Sequence, residues 1–211
     1  MISEIGLYGG TFSPPHLGHL SAARAFINQI KPDKFFIIPA SVPPHKQLSG
    51  SDDPHMRLHM LHLAFFEETG CGSTIFIDDY EIKKEGVSYT CDTLEYYSLL
   101  FPAEKNFRLT FLCGTDMFLT LDKWKSPEKV FSLARIAFMK RDKNRTPNSV
   151  FEEKSDFYRK RFNASIIEIT GESVEVSSTD IRCKIAAGES CGGLIDARVL
   201  AYIKENNLYN R

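Results

Sequence analysis

Short runs of β-branched and aromatic residues recur along this 211-residue chain, and the segments between them carry apolar residues at helical spacing. That alternation restricts the fold more than any other feature. "IGLYG" (5–9), "KFFIIPA" (34–40), "STIFID" (73–78), "FRLTFLCG" (107–114), "ARIAFMK" (134–140) and "SIIEIT" (165–170) read as strands. Helices are predicted from about Gly18 to Gln29, with Leu20, Ala23 and Ile27 in register, and over 91–101, 127–133, 179–187 and 196–206. A further helix starts at Pro54, capped by Asp53, with Met56, Met60, Leu61, Leu63 and Ala64 as its buried stripe. Strands separated by helices of this length form right-handed βαβ units and a mostly parallel sheet covered on both faces. The expected fold is a doubly wound, Rossmann-like α/β domain occupying residues 1–211, in which "KRDKNRTPNS" (140–149) is a mobile surface loop.

Composition supports one substantial core, with 43% hydrophobic and 12% aromatic residues. The formal charge of −1 supplies no field for recruiting nucleic acid, so any anion site must be local. No apolar run approaches the roughly 18 residues of a transmembrane span, and no secretory segment precedes the first strand. Cys71, Cys91, Cys113, Cys183 and Cys191 form no CxxC pair and read as reduced thiols of a cytoplasmic protein. No membrane or nucleic-acid partner is expected. The oligomeric state stays open, and a homo-oligomer is compatible with the sequence.

The first strand is followed by "GGTFSPPHLGHLSAA" (9–23). In a doubly wound sheet ligands bind beyond the carboxyl ends of the strands, which is where this loop falls. Gly9 and Gly10 can bring backbone N–H groups close to a ligand, and His16 and His19, at i and i+3 of a helix start, can face one site together. The helix points its positive end at the same space. Neither GxGxxG nor GxxxxGK[ST] is present, so the usual dinucleotide and P-loop fingerprints are absent. A bare HxxH can merely cap a loop, and no third ligand stands near enough to suggest zinc.

"GGTFSPPHLGH" resembles the GGTFxPxHxGH signature of the nucleotidylyltransferase superfamily, and "VSSTDIR" (176–182) resembles its second signature, [IV]SSTxxR. The stretches "IPASVPPHK", "SYTCDTL", "GTD" followed by "KW", and "VLAYIKENNLY" are similar to those of the bacterial nicotinate-nucleotide adenylyltransferase family. The likeness spans nearly the whole chain, with the second phosphate motif and C-terminal helices at about 176–208. It implies ATP and nicotinate mononucleotide as substrates and Mg²⁺ accompanying the triphosphate. By the same likeness His16, His19, Lys46 and Arg182 are catalytic, holding the triphosphate together with Ser178 and Thr179. Gly9, Gly10, Thr11, Phe12, Gly114 and Asp116 complete the ATP site, Asp116 near a ribose. Lys46, Tyr89, Thr90 and Trp124 would receive the nicotinate nucleotide, Thr90 and nearby backbone meeting the carboxylate and Trp124 stacking on the ring. Ser13 departs from the family's common Asp, and "ASVPP" from its frequent "AGNPP".

The implied chemistry suits these residue types. A phosphate monoester is largely ionised near neutral pH, its second pKa being about 6, so it attacks the α-phosphorus of ATP without a general base. The protein's task is in-line placement and charge neutralisation, for which histidines, a lysine, an arginine and backbone dipoles serve, and no protein nucleophile is needed. Magnesium keeps several waters and few protein ligands, so no protein metal ligand is assigned.

Each residue also has a plainer reading. "VSSTDIR" is a helix N-cap in either case, with Ser178 or Thr179 capping and Asp180 favouring the dipole. Trp124 is a core candidate as much as a stacking platform, and Thr90 and Thr93 can simply begin a helix. Lys46 and Arg57 can each be read as solvated charges; Lys46 enters the site set on the family likeness, and Arg57 stays outside it. Rival functions are a nucleotidylyltransferase with another acceptor, such as one making dephospho-coenzyme A or a cytidylyl product, an NAD-binding dehydrogenase, and a non-catalytic nucleotide sensor. "SYTxxTL" followed by "GxD…W" disfavours the first, the missing GxGxxG the second and the intact phosphate set the third.

Overall fold

The computed structural model of the chain describes residues 3–44, 53–69, 74–101, 106–140, 146–172 and 174–210. Six strands form one sheet: β1 (Ser3–Gly10), β2 (Lys34–Pro39), β3 (Ile75–Ile77), β4 (Phe107–Gly114), β5 (Arg135–Met139) and β6 (Ile166–Ile169). Their order is β3-β2-β1-β4-β5-β6, and every neighbouring pair runs parallel. The mostly parallel sheet read from sequence is thus parallel throughout its described strands. Strand order reverses between β1 and β4, which creates the crevice expected of a doubly wound fold.

The strand pattern explains the two-sided core. Successive side chains point to opposite faces. On one face Tyr8, Phe35, Ile37, Leu112, Ala137 and Met139 join one buried cluster; on the other Leu7, Ile38, Phe111, Ile136 and Phe138 join a second. Helices α1 (Leu17–Ile30) and α2 (Pro54–Ala64) cover the first face together with α8 (Ser178–Ala186) and α9 (Ala197–Glu205). Helices α4 (Thr90–Leu100), α6 (Pro127–Leu133) and α7 (Asn148–Phe162) cover the second. The short helices α3 (Tyr80–Lys84) and α5 (Thr115–Phe118) lie at the carboxyl ends of β3 and β4.

Several elements differ from the sequence reading, among them the four-residue α5, which it did not contain. Asn148 and Ser149, read as part of a loop, open the 15-residue α7, while 141–145 lie outside the described residues. Only Phe151, Ser155 and Tyr158 of α7 are buried, so its apolar stripe is one residue wide and its remaining positions are polar enough to pass for loop. Helix α3, five residues long, is too short to show periodicity. In α2 the buried face is Arg57, Met60, Leu61 and Ala64, so a cation stands on the stripe that Met56 and Leu63 only flank.

The C-terminal helix is fixed by a charged cap. Asp196 accepts the backbone N–H of Arg198 at 2.8 Å and its guanidinium at 3.0 and 2.8 Å, while Val199 and Ile203 pack into the core. These bonds hold the Asp196 carboxyl below the ordinary aspartate range, the Arg198 side chain contributing most. A lowered folded-state value means stability that is present above the unfolded pKa of about 3.9 and lost as pH falls through the folded value. Replacing Asp196 with Ala is expected to cost about 1 kcal/mol at neutral pH. Urea unfolding at pH 7 and at pH 3 checks this: the gap between variant and parent narrows at the lower pH, and an undiminished gap contradicts the charged cap.

Candidate active site

The crevice between the carboxyl ends of β1 and β4 opens into a cleft of about 1160 Å³. Pockets for one small ligand fall between roughly 300 and 1,000 Å³, so this cleft has room for a larger occupant or two molecules. Gly9, Gly10, Thr11, Phe12, His16 and His19 line one wall, Gly114 and Asp116 the floor beyond β4, and Ser178, Thr179 and Arg182 the rim above α1. Tyr89, Thr90 and Trp124 line the opposite end. All the residues singled out from sequence meet here except Lys46, which lies with its neighbour His45 outside the described residues.

The geometry assigns distinct tasks within this set. His16 caps α1 and His19 lies one turn in, their rings 3.7 Å apart between centroids and 1% and 8% exposed. The backbone N–H of His16 donates to Nδ1 of His19 at 3.1 Å. A nitrogen that accepts cannot carry the proton, so Nε2 of a neutral His19 is the donor. The Phe12 ring meets His19 edge-on at 4.9 Å and is buried beneath it, so Phe12 supports the histidine with its ring and offers the cleft only its backbone. A Cβ at Gly10 would stand 2.8 Å from that ring, so packing under the loop already demands glycine there.

The two signature segments are locked together. Arg182 donates from Nη1 to the carbonyl of Ser13 at 2.7 Å and from Nη2 to the Thr179 hydroxyl at 3.1 Å. Ser178 donates to the carbonyl of Pro14 at 2.9 Å. A Cβ at Gly18 would sit 3.0 Å from the Val174 carbonyl, so glycine lets the second segment approach the first. The N-cap of α8 is Ser177, not Ser178 or Thr179: its Oγ accepts the Asp180 N–H at 3.0 Å, and Asp180 accepts the Ser177 N–H at 3.1 Å in return. With Ser177 capping, Ser178 is released to grip the first loop.

At the other end Trp124 is half-buried, edge-on to Phe111 at 6.5 Å, so one part packs in the core while another faces the cleft. Tyr89 is the N-cap residue of α4, and Lys125 holds its Nζ 4.1 Å from the Tyr89 ring centroid. Two groups outside the sequence-derived set adjoin these walls. Arg57 is completely buried and donates to the carbonyls of Thr11 and Ser41. Glu81 lines the cleft at 8% exposure; burial pushes its carboxyl up, against hydrogen bonds from Thr93 and Ser88 that favour its charge. Arg57 was legible in one respect, since it falls with Met60, Leu61 and Ala64 on one helical stripe, whereas Glu81 sits in a helix without periodic signal. Among the described residues no three His, Cys, Asp or Glu side chains are grouped to hold a metal ion. Cys91, Cys113, Cys183 and Cys191 are free thiols, and no described helix is long and apolar enough to cross a membrane.

A parallel sheet of this order, with a histidine-bearing helix start and an arginine-bearing second helix converging at its switch point, defines a nucleotide-binding enzyme of the nucleotidylyltransferase class. Residues 7–184 match the family model described as cytidylyltransferase-like. A protein of Clostridium acetobutylicum curated as "Probable nicotinate-nucleotide adenylyltransferase" is 34% identical over 204 residues, covering 96% of this chain and 97% of that protein. The protein of the same name from Chromobacterium violaceum is 35% identical over 218 residues, covering 99% of this chain and all of that one. The chain belongs to the nicotinate-nucleotide adenylyltransferase family. In fold it is similar to Plasmodium falciparum nicotinic acid mononucleotide adenylyltransferase, solved in complex with NaAD, at a TM-score of 0.74 and 20% identity over 99% of this chain and 98% of that one.

His19→Asn separates the two nitrogens of this histidine, because the amide oxygen replaces Nδ1 as acceptor for the His16 N–H while the Nε2 donor is lost. Turnover is expected to fall by about 10²–10³-fold, the usual loss for one charge-stabilising donor, with the thermal midpoint nearly unchanged. Steady-state kinetics beside thermal melting checks this; parental turnover in a folded variant removes His19 from the chemistry.

Proposed function

We propose that this chain transfers the adenylyl group of ATP to nicotinate mononucleotide, giving nicotinate adenine dinucleotide and pyrophosphate. The observation that carries this reading is that His16, His19, Arg182 and the start of α8, borne by helices on one face of the sheet, line one cleft together with Thr90 and Trp124, borne by elements packed on the other face. One end suits a triphosphate, the other an acidic aromatic ring. An oxygen of the mononucleotide 5′-phosphate forms a bond to the α-phosphorus as the bond to the β-bridging oxygen breaks, and the electron pair leaves with pyrophosphate.

The residues act by placement and charge. Nε2 of His19 and the side chain of His16 meet phosphate oxygens beside the backbone of Gly9, Gly10 and Thr11, and the start of α1 adds its positive dipole end. Arg182 supplies a guanidinium at the rim, and Ser178 and Thr179 stand at the start of α8. Lys46 is assigned to the phosphates on the family likeness alone. Asp116, exposed at the start of α5, is placed for a ribose hydroxyl, with Gly114 behind it. Asp116 is the carboxylate that lines the cleft just beyond β4; magnesium carried by the triphosphate would need few protein ligands beside it and would neutralise phosphate charge. No side chain is required as nucleophile or general base.

The acceptor end favours a carboxylate. Thr90 opens α4, an 11-residue helix whose first N–H groups have no intrahelical acceptor, and Lys125 adds a positive charge beside Tyr89. Trp124 offers its cleft face to the pyridine ring. The free thiols and the use of ATP suit the cytoplasm as its setting.

Pyrophosphate release with ATP and Mg²⁺, measured separately with nicotinate and nicotinamide mononucleotide and with the dinucleotide identified by mass, tests the reading. Turnover selective for the acid is expected. Turnover of the amide alone overturns the carboxylate assignment, and absence of turnover with both overturns the activity. Trp124→Ala is expected to raise KM for the mononucleotide with kcat less affected; an unchanged KM removes Trp124 from the pocket.

A further inference from the structure

Arg57 and Glu81 are buried charges that the adenylyl transfer does not itself use. Arg57 lies on α2, and both of its bonding groups face carbonyls from elsewhere in the chain: Nη1 donates to Thr11 at 2.8 Å and Nη2 to Ser41 at 2.9 Å. Thr11 belongs to the loop between β1 and α1 that faces the phosphates, and Ser41 follows β2. The backbone N–H of Ser41 then donates to the Ser88 hydroxyl at 2.9 Å, and Ser88 hydrogen-bonds the Glu81 carboxyl. Thr93 Oγ1 donates to the same carboxyl at 2.5 Å. Thr93 stands one turn into α4, whose first residue, Thr90, faces the acceptor end of the cleft. A backbone bond from the Ser88 N–H to the Val42 carbonyl, 2.9 Å, runs beside this path.

We propose that Arg57 and Glu81 are positioning residues which, through Ser41, Ser88 and Thr93, fix the spacing between the phosphate-binding loop and the acceptor-binding helix. The proposal rests on the adenylyltransferase reading above. The phosphate-facing loop follows β1 and the helix that starts at Thr90 comes after β3, two strands away in the sheet, and among the described residues no strand pairing joins Thr11 to Thr90 directly. A guanidinium is the side chain suited to the first link, because its rigid fork reaches two carbonyls at once where an ammonium is a single flexible point charge. Carbonyl partners and a nearby carboxylate make this burial tolerable: the Arg57 charge favours the ionised form of Glu81 across the network. The spacing so fixed sets how a mononucleotide held at the start of α4 presents its phosphate to the triphosphate, and rate is steeply sensitive to such placement, about 10²-fold for a misplacement of 1 Å. Arg57 is absent from the cleft lining and Glu81 is only 8% exposed, so the network acts on substrates through the elements it holds, and its signature lies in kcat more than in KM.

The test compares Arg57→Lys, the near-isosteric Glu81→Gln and the double variant, each checked for an intact fold by circular dichroism and thermal melting. Arg57→Lys is expected to lower kcat about 10–100-fold, with KM for ATP and for nicotinate mononucleotide each within about threefold of the parent. Glu81→Gln shows the same split with a smaller loss. The double variant loses little more than Arg57→Lys alone, as expected of two residues acting as one unit. If Arg57→Lys does not fold, Glu81→Gln alone carries the test by the same split. A folded variant with parental kcat, a loss confined to KM, or multiplicative losses in the double variant overturns the proposal. A parent enzyme silent with both mononucleotides signals instead that the underlying activity reading has failed.

Discussion

Everything at this site depends on two neighbouring parallel strands, β1 and β4, whose following helices pack on opposite faces of the sheet. The helix after β1 covers one core cluster and those after β4 cover the other, so the chain diverges and leaves a crevice at the carboxyl ends of the two strands. The helices α1 and α8 then start at that crevice, with the positive ends of their dipoles beside it. A cleft so lined attracts phosphate before any particular side chain is considered.

The side chains refine that field by holding one another. His19 receives a backbone N–H on one nitrogen and so presents the other; Arg182 and Ser178 grip the carbonyls of Ser13 and Pro14, so the second signature fixes the shape of the first. These contacts explain why two short sequences about 160 residues apart act together. Arg182, proposed to meet phosphate, does not wait in solvent, since it is already bonded to the loop that carries the first signature. At the acceptor end, Trp124 divides its ring between core and cleft, which gives it a fixed orientation before ligand arrives.

Much of this was legible in the sequence, and what was not has identifiable physical causes. The six strands, the first loop and the second signature are local patterns of hydrophobicity, glycine and polarity, and they stand in the structure close to where they were read. Helix α7 escaped because its burial is confined to Phe151, Ser155 and Tyr158. Arg57 was read as a solvated charge because its partners, the carbonyls of Thr11 and Ser41, come from segments remote in sequence; only its place on the stripe with Met60, Leu61 and Ala64 marked it as buried. The N-cap of α8 moved by one residue to Ser177 because three successive cap-competent side chains leave the choice to tertiary contacts, here the bond from Ser178 to Pro14. Lys46 lies outside the described residues, and its role rests on family likeness alone.

The cleft is proposed to bring two phosphates together for a single in-line displacement, with no protein nucleophile between them. Stereochemistry at the α-phosphorus tests that claim most directly. With ATP made chiral at that phosphorus by sulfur substitution and nicotinate mononucleotide as acceptor, one displacement inverts the configuration in the dinucleotide product. Inversion is the predicted result, and net retention, the mark of two successive displacements through a covalent enzyme intermediate, would contradict it.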